Sequence, residues 1–320
     1  MKLLYFLLSI FLCSCATVKH SGFKNQVRTS NCNQGNTYRY SKDEIPVPIY
    51  ELTIDSILTS KLKISDINIA NAIGILDLLP RYIYKLNEVK ENNSLQNQID
   101  LITIRQEIYN KIDLASLEIS SVSAELDCEE ERTSQIASYL KEKEKKTVTR
   151  LTVGSIILGS VSAITTGVLL SEKDESEASN IIGVGVGIAD AFLGVMMLTH
   201  KRKIEFHHTR NVLGEIWRAT ETSTVYPASI WYYLNYRNPQ NKNEKSLREQ
   251  LIENWKNFEQ VSSSNGKSKE ESIDIYFGDG GEYTADQLEN RANMYDQIES
   301  AIKLMKQDLR SVTLSMEYLK

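Results

Sequence analysis

Two apolar runs decide how this chain is read: LTVGSIILGSVSAITTGVLL (Leu151–Leu170) and IIGVGVGIADAFLGVMMLT (Ile181–Thr199). The acidic connector SEKDESEASN (Ser171–Asn180) joins them. Each run is about 20 residues, roughly 30 Å as helix, which matches the hydrocarbon core of a bilayer. Small residues recur every fourth position, at Ser155, Gly159, Ala163 and Gly167 in the first run and at Gly183, Gly187 and Ala191 in the second. Such a stripe lets another backbone approach closely, so residues 149–203 are expected to form a glycine-zipper-like helical hairpin. Asp190 is the one charge in either run and is expected to be buried against a partner or a wet cavity. Membrane insertion is one reading. A soluble protein with two very apolar core helices is the other, and the hydroxyls of Thr152, Ser155, Ser160, Ser162, Thr165 and Thr166 speak for it.

The flanks are polar and helix-patterned. Within 46–148, the interval Ser94–Lys146 carries Leu101, Ile104, Ile108, Ile112, Ala115, Ile119, Val122 and Leu126 on one face, the mark of a long amphipathic helix. Before it, Ser65 and Asp66 suit a helix cap, and Pro80 should kink or end that helix. Within 204–261, Ile204–Ala219 is predicted as a returning helix. Trp231–Tyr236 is predicted as buried aromatic core, and Ser246–Val261 as a further amphipathic helix. In 262–283 a linker precedes Ile273–Phe277, the best strand candidate, which Gly278–Gly281 would turn into a short hairpin with Glu282–Thr284. Thr284 or Asp286 then caps a coiled-coil-like helix over 284–320, with Leu288, Tyr295, Ile298, Ile302, Met305, Leu309, Val312, Met316 and Leu319 as its stripe. The fold class is therefore mainly all-α: an elongated, coiled-coil-like bundle with an apolar two-helix hairpin and one small β-hairpin.

The start, MKLLYFLLSIFLCS (1–14), has the anatomy of an export signal: a lysine, a short apolar region, then small residues. Leu12-Cys13-Ser14-Cys15 resembles the lipobox of bacterial lipoprotein precursors. That resemblance implies a diacylglyceryl group on Cys15 and a mature chain beginning there. It also implies a cell-envelope location, with the outer membrane favoured because Ala16, not aspartate, follows the cysteine. Residues 15–45 are polar and turn-rich, as a tether would be, and stiffen at Ile45-Pro46-Val47-Pro48. With Cys15 lipidated and Cys13 removed, Cys32 and Cys128 remain as an even pair in a disulfide-permissive compartment, and a bond between them is expected.

The chain carries a formal net charge of −5, with no basic cluster beyond the flanks of the hairpin, which argues against nucleic acid as a partner. No phosphate loop, nucleophile elbow, zinc-protease helix or paired-cysteine metal site occurs, so no catalytic residue, small-molecule substrate, metal or cofactor is expected. His200, His207 and His208 cluster after the second run beside Lys201–Lys203, with His200 and His207 on one face of the expected helix. They read as an interfacial group rather than metal ligands. Asp279–Glu282 reads as a turn, because it lacks the alternating oxygen ligands of a calcium loop. Coiled-coil helices flanking a hydrophobic segment resemble the layout of helical pore-forming cytolysins. The layout implies membrane lipid and a homo-oligomer, or an envelope complex, as partners. The competing expectation is a lipid-anchored interaction scaffold whose hairpin is its own buried core.

Overall fold

The computed structural model describes residues 30–32, 37–171, 176–199, 201–208, 210–239, 244–261 and 269–318, with backbone alone for 165–171, 176–184 and 269–272. Its backbone is one uninterrupted helix, Leu95–Ser171, here α4, of 77 residues and roughly 115 Å. No proline lies in that interval, and Ser94 Oγ accepts from the Asn97 amide at its start. The amphipathic segment and the first apolar run are thus a single rod.

Preceding α4 are two 3-10 turns, at Lys42–Glu44 and Ile49–Glu51, and then α1 (Ser56–Lys61), α2 (Ile64–Ala72) and α3 (Leu78–Glu91). Ser65 and Asp66 are corrections: both sit inside α2, which starts after Lys63, and Asp66 is buried, accepting from Ser315 Oγ at 2.8 Å rather than capping. Pro80 neither kinks nor ends a helix. It occupies the first turn of α3, where its missing N–H costs nothing. The break comes earlier, at Gly74, whose φ of 70° is the left-handed conformation that glycine adopts freely.

After α4 come α5 (Ser176–Thr199), β1 (Lys203–His207), α6 (Val212–Arg218), α7 (Ala228–Asn235), α8 (Leu247–Asn257), α9 (Lys269–Phe277), β2 (Gly280–Thr284) and α10 (Ala285–Tyr318). α10 runs antiparallel along the lower part of α4, pinned at Lys141–Glu289 (2.5 Å), Lys306–Ser120 (2.7 Å) and Arg105–Glu317 (2.9 Å). Its stripe from Leu288 to Met316 is buried and faces Ile104, Ile108, Ile112, Ile119, Val122 and Leu126, all buried in α4. Thr284 is the cap of α10: its N–H donates to Gln287 Oε1 at 2.9 Å, and its hydroxyl accepts from the Gln287 amide at 3.3 Å.

Two local expectations are overturned. Ile204–Ala219 is not one helix. Lys203-Ile-Glu-Phe-His207 alternates with period two, buries Phe206, and pairs antiparallel with β2, Phe206 opposite Gly281. α6 starts only after Asn211, whose side chain accepts from the Gly214 amide. Ile273–Phe277 is not a strand but the end of α9. Its β-favouring residues are held as helix because consecutive Ile275, Tyr276 and Phe277 are all buried, Phe277 stacking on Trp217 at 4.4 Å between ring centres. β2 therefore pairs with β1, not with 273–277. Gly280 is required in this sheet: its φ is 99°, and a Cβ there would lie 2.2 Å from the Phe206 carbonyl.

α7 supplies the aromatic core, with Ile230, Trp231, Tyr232 and Leu234 buried and Trp231 stacked on Tyr226. The chain is already held to this body in the interval read as a tether. The Tyr38 amide donates to the Thr224 carbonyl and the Tyr40 hydroxyl to the Tyr226 carbonyl, each at 3.0 Å.

Candidate functional site

The buried core of α4 ends at Leu140. From Thr147 the rod continues for about 25 residues, some 37 Å, accompanied among the described residues only by α5. The two helices make an antiparallel hairpin with a seam spaced alternately by three and four residues. On α4 the seam holds Leu151, Gly154, Ser155, Leu158, Gly159 and Ser162; on α5 it holds Val186, Asp190, Leu193, Gly194 and Met197. Ser155 Oγ donates to Asp190 Oδ1 at 2.8 Å, and a Cβ on Gly159 would stand 4.0 Å from Asp190 Oδ2. Thr152 Oγ1 lies 3.6 Å from the Met197 sulfur.

The small-residue stripe thus divides. Ser155 and Gly159 lie in the seam, whereas Ala163, Gly187 and Ala191 are exposed, and a Cβ on Gly187 would meet nothing within 4 Å. Every fourth residue advances about 40° beyond a full turn, so a four-residue repeat winds off a seam that follows the 3.5-residue period. Gly167 and Gly183 belong to the helices but fall where surroundings are not described. Cys15 and His200 lie outside the described residues.

The outer faces are apolar and open. Val153, Ile156, Ile157, Val161 and Ile164 on α4, and Ile188, Phe192, Val195 and Leu198 on α5, are each 50% to 83% exposed. Fully burying a side chain of this size is worth about 1.5–3 kcal/mol, so the set carries on the order of 10 kcal/mol of unrealised burial. Contiguous apolar surface on this scale marks an interaction site for protein or membrane. By length and composition α4 is the one helix among the described residues apolar enough to cross a membrane, and none of its apolar window is buried.

The base of the hairpin is charged, and its cations are mostly engaged. Lys201 pairs with Asp286 at 2.7 Å, Lys203 with Glu282 at 3.8 Å, and Lys146 with Glu142. The Arg202 amide donates to Glu144 Oε1 at 2.7 Å, and its guanidinium to Thr147 Oγ1 at 3.2 Å. Lys145 and Arg150 are exposed on the same level. The acidic partners Glu144, Glu282, Asp286 and Glu289 were missed by a reading that weighed only the lysines and arginines beside the apolar runs.

Beneath the base, β1 and β2 close over a buried polar group. His207 is on the exposed side of β1, 3.0 Å from Glu205, so it shares no helix face with His200. His208 points inward, its Nε2 2.9 Å from the Tyr283 hydroxyl. Burial, reinforced by the nearby Arg291 charge, pushes its imidazole down to about 2. Arg291 is fully buried and donates to the Tyr276 carbonyl at 2.8 Å and to the Tyr295 hydroxyl at 2.6 Å. Arg132 covers the Phe206 ring at 4.5 Å and pairs with Glu129 at 2.7 Å. Beside Glu129, Cys32 and Cys128 are joined by a disulfide, Cα–Cα 5.5 Å, and Ser30 donates to the Glu129 carboxylate. No group of histidine, cysteine and carboxylate able to hold a metal ion is found among the described residues.

The fold and site define a mainly α-helical protein whose apolar hairpin stands clear of a compact body. Compared with protein-family models, curated proteins and solved structures, the chain has no match.

Proposed function

We propose that this protein is exported, anchored by lipid on Cys15, and associates with or remodels a membrane by inserting the α4–α5 hairpin, acting as a homo-oligomer or as a subunit of an envelope complex. The observation that carries this reading is the exposure of both outer hairpin faces. The described residues of a single chain leave them bare, and lipid or neighbouring hairpins would cover them.

Geometry is consistent with insertion into the membrane that holds the anchor. From Cys128 to the hairpin base at Thr147 is about 19 residues of helix, roughly 29 Å. From Cys15 to Cys32 is about 17 residues, which span at most roughly 60 Å. A lipid on Cys15 therefore reaches a bilayer lying at the hairpin base. The hairpin would enter after export, from the anchored side, leaving Lys145 and Arg150 among anionic headgroups. The absence of aspartate after Cys15 favours an outer membrane.

Cysteine labelling at Ser176, the first residue of α5, tests the reading. In sealed vesicles carrying the protein, a Ser176→Cys thiol should resist an impermeant reagent added on the side of the body. Free labelling from that side would mean that the hairpin does not cross, and would leave the anchored interaction scaffold as the better account.

A further inference from the structure

We infer that the β1–β2 pair is an acid-released latch on the returning leg of the hairpin: as the solution acidifies, β1 leaves β2 and frees α5, while α4 and α10 stay packed. The latch would regulate the hairpin of the reading above, and it operates in water, before any contact with lipid.

The two strands are anchored unequally. β2 runs directly into α10, which Thr284 caps, so it is fixed to a core helix. β1 follows α5 after a few residues and has β2 as its one strand neighbour among the described residues. Besides the ladder, Phe206 and His208 hold it, the first fully buried and the second just past the end of the strand with its ring turned inward. The His208 amide donates to the Asp279 carbonyl at 3.1 Å, and its ring meets those of Phe206 and Tyr283 edge-on at 5.4 and 5.8 Å. Nε2 lies 2.9 Å from the Tyr283 hydroxyl and 3.3 Å from the Ile275 carbonyl. The seat is tight, since a Cβ on Gly280 would stand 3.2 Å from Nε2.

The charges that act on this seat are positive. α10 supplies Arg291, fully buried and held by the Tyr276 carbonyl and the Tyr295 hydroxyl. α4 supplies Arg132, which already takes up Glu129. On β1, His207 turns outward with Glu205, and Asp274 and Asp279, on α9 and the turn after it, are exposed. β2 and α9 offer the seat only the neutral Tyr283 hydroxyl and the Ile275 carbonyl. Burial first, with Arg291 and Arg132 reinforcing it, pushes the imidazole down to about 2, so the closed latch keeps it neutral. Once β1 lifts away, the ring is solvated and takes a proton near its ordinary pKa of about 6.5. The folded value lies below the free one, so closure is favoured above about pH 6.5 and is lost as pH falls below it. The open fraction should rise about tenfold between pH 7.5 and 5.5.

Hydrogen exchange of the full-length protein, as processed by the cell and held in detergent, tests this at pH 7.5, 6.5 and 5.5, each rate divided by the intrinsic rate at that pH. Amides of 203–208 should lose about tenfold in protection from pH 7.5 to 5.5, while those of 295–309 in α10 keep theirs. His208→Gln, neutral throughout, should show no such loss. Nor should the parent with β1 locked to β2 by a disulfide between Glu205→Cys and Glu282→Cys, which stand opposite each other and are exposed. Constant protection of 203–208 in the parent, or an equal loss in His208→Gln or in the locked protein, would overturn the latch. Loss in α10 together with 203–208 would overturn it too, because the chain would then be unfolding as a whole. The membrane reading is decided separately, by the labelling at Ser176→Cys.

Discussion

Leucine at Gly159 and leucine at Gly187 should behave as opposites in the isolated chain, although the two glycines look equivalent in the sequence. At Gly159 a Cβ would already touch van der Waals distance from Asp190 Oδ2, and the remaining three carbons must enter the seam. Overpacking of this kind costs about 1–3 kcal/mol. Loss of the Ser155–Asp190 hydrogen bond adds about 0.5–1.5 kcal/mol. At Gly187 a Cβ meets nothing, so leucine there should leave the hairpin closed and, by replacing a helical glycine, favour the helix by up to about 1 kcal/mol. The assay is cross-linking between Thr152→Cys and Met197→Cys, whose parent side chains meet across the seam, in protein held monomeric by detergent. Gly159→Leu should slow the cross-link severalfold, whereas Gly187→Leu should not. Any assembly of hairpins through the outer face should respond in the reverse order. If Gly187→Leu opens the monomeric hairpin as much as Gly159→Leu does, the seam is wrongly assigned and the reasoning fails.

Ile302→Asp places an uncompensated carboxylate between α4 and α10, where Ile302 is fully buried, and should cost more than about 4 kcal/mol in chemical denaturation; a variant within about 1 kcal/mol of the parent would show that this stripe is not core. Reducing or removing the Cys32–Cys128 bridge, for example by Cys128→Ser, should lower stability by about 2–5 kcal/mol, and an unchanged denaturation midpoint would contradict this. The His208 imidazole is pushed down to about 2, so below about 6.5 the unfolded chain binds a proton that the folded chain refuses. Stability should therefore fall as pH falls through that window, by up to about 1.4 kcal/mol per pH unit, and His208→Asn should flatten the slope measured between pH 7 and 5. Replacing residues 147–201 by a short Gly/Ser turn should leave the body folded, with a denaturation midpoint close to the parent's, and abolish vesicle association; an unfolded body would show that the hairpin belongs to its core.

What was legible in the sequence was whatever a single periodicity decides. The stripe from Leu288 to Met316 and the one from Ile104 to Leu126 each name a buried face, and the structure packs one on the other. The apolar hairpin was legible for the same reason. Its contact register was not, because a stripe of small residues marks where approach is permitted, not where it happens. Partners across an antiparallel pair lie equidistant from the turn, so Ser155 and Asp190 could be matched only once helix was known to run to Ser171 and resume at Ser176. The β1–β2 pair was missed because its strands stand far apart in sequence, with α6–α9 between them, and only tertiary contact selects β1 over 273–277. Local composition favoured strand at Ile273–Phe277, but the stacking of Phe277 on Trp217 and the burial of Tyr276 hold that segment as helix.

The two legs of the hairpin are attached unequally, and the difference decides which can move. α4 enters without a break, so displacing its upper part means bending a continuous helix supported below by the whole buried face from Ile104 to Leu140. α5 returns through a few residues to β1, an edge strand of a two-stranded sheet. It is held at the base by Lys201–Asp286, Lys203–Glu282 and the Arg202–Glu144 contact. The two lysine pairs are substantially exposed, where such pairs are worth about 0–1 kcal/mol each and weaken with salt. Phe206 and the inward-facing His208 are the stronger fastening, one apolar and fully buried, the other held neutral. Acid strains the second, since the sheet must keep a group that solvent would protonate. The fastening of α5 therefore weakens as pH falls below about 6.5, where the unfolded His208 would take a proton. Any rearrangement on insertion should begin with α5 and β1, and α4 should act as the fixed post.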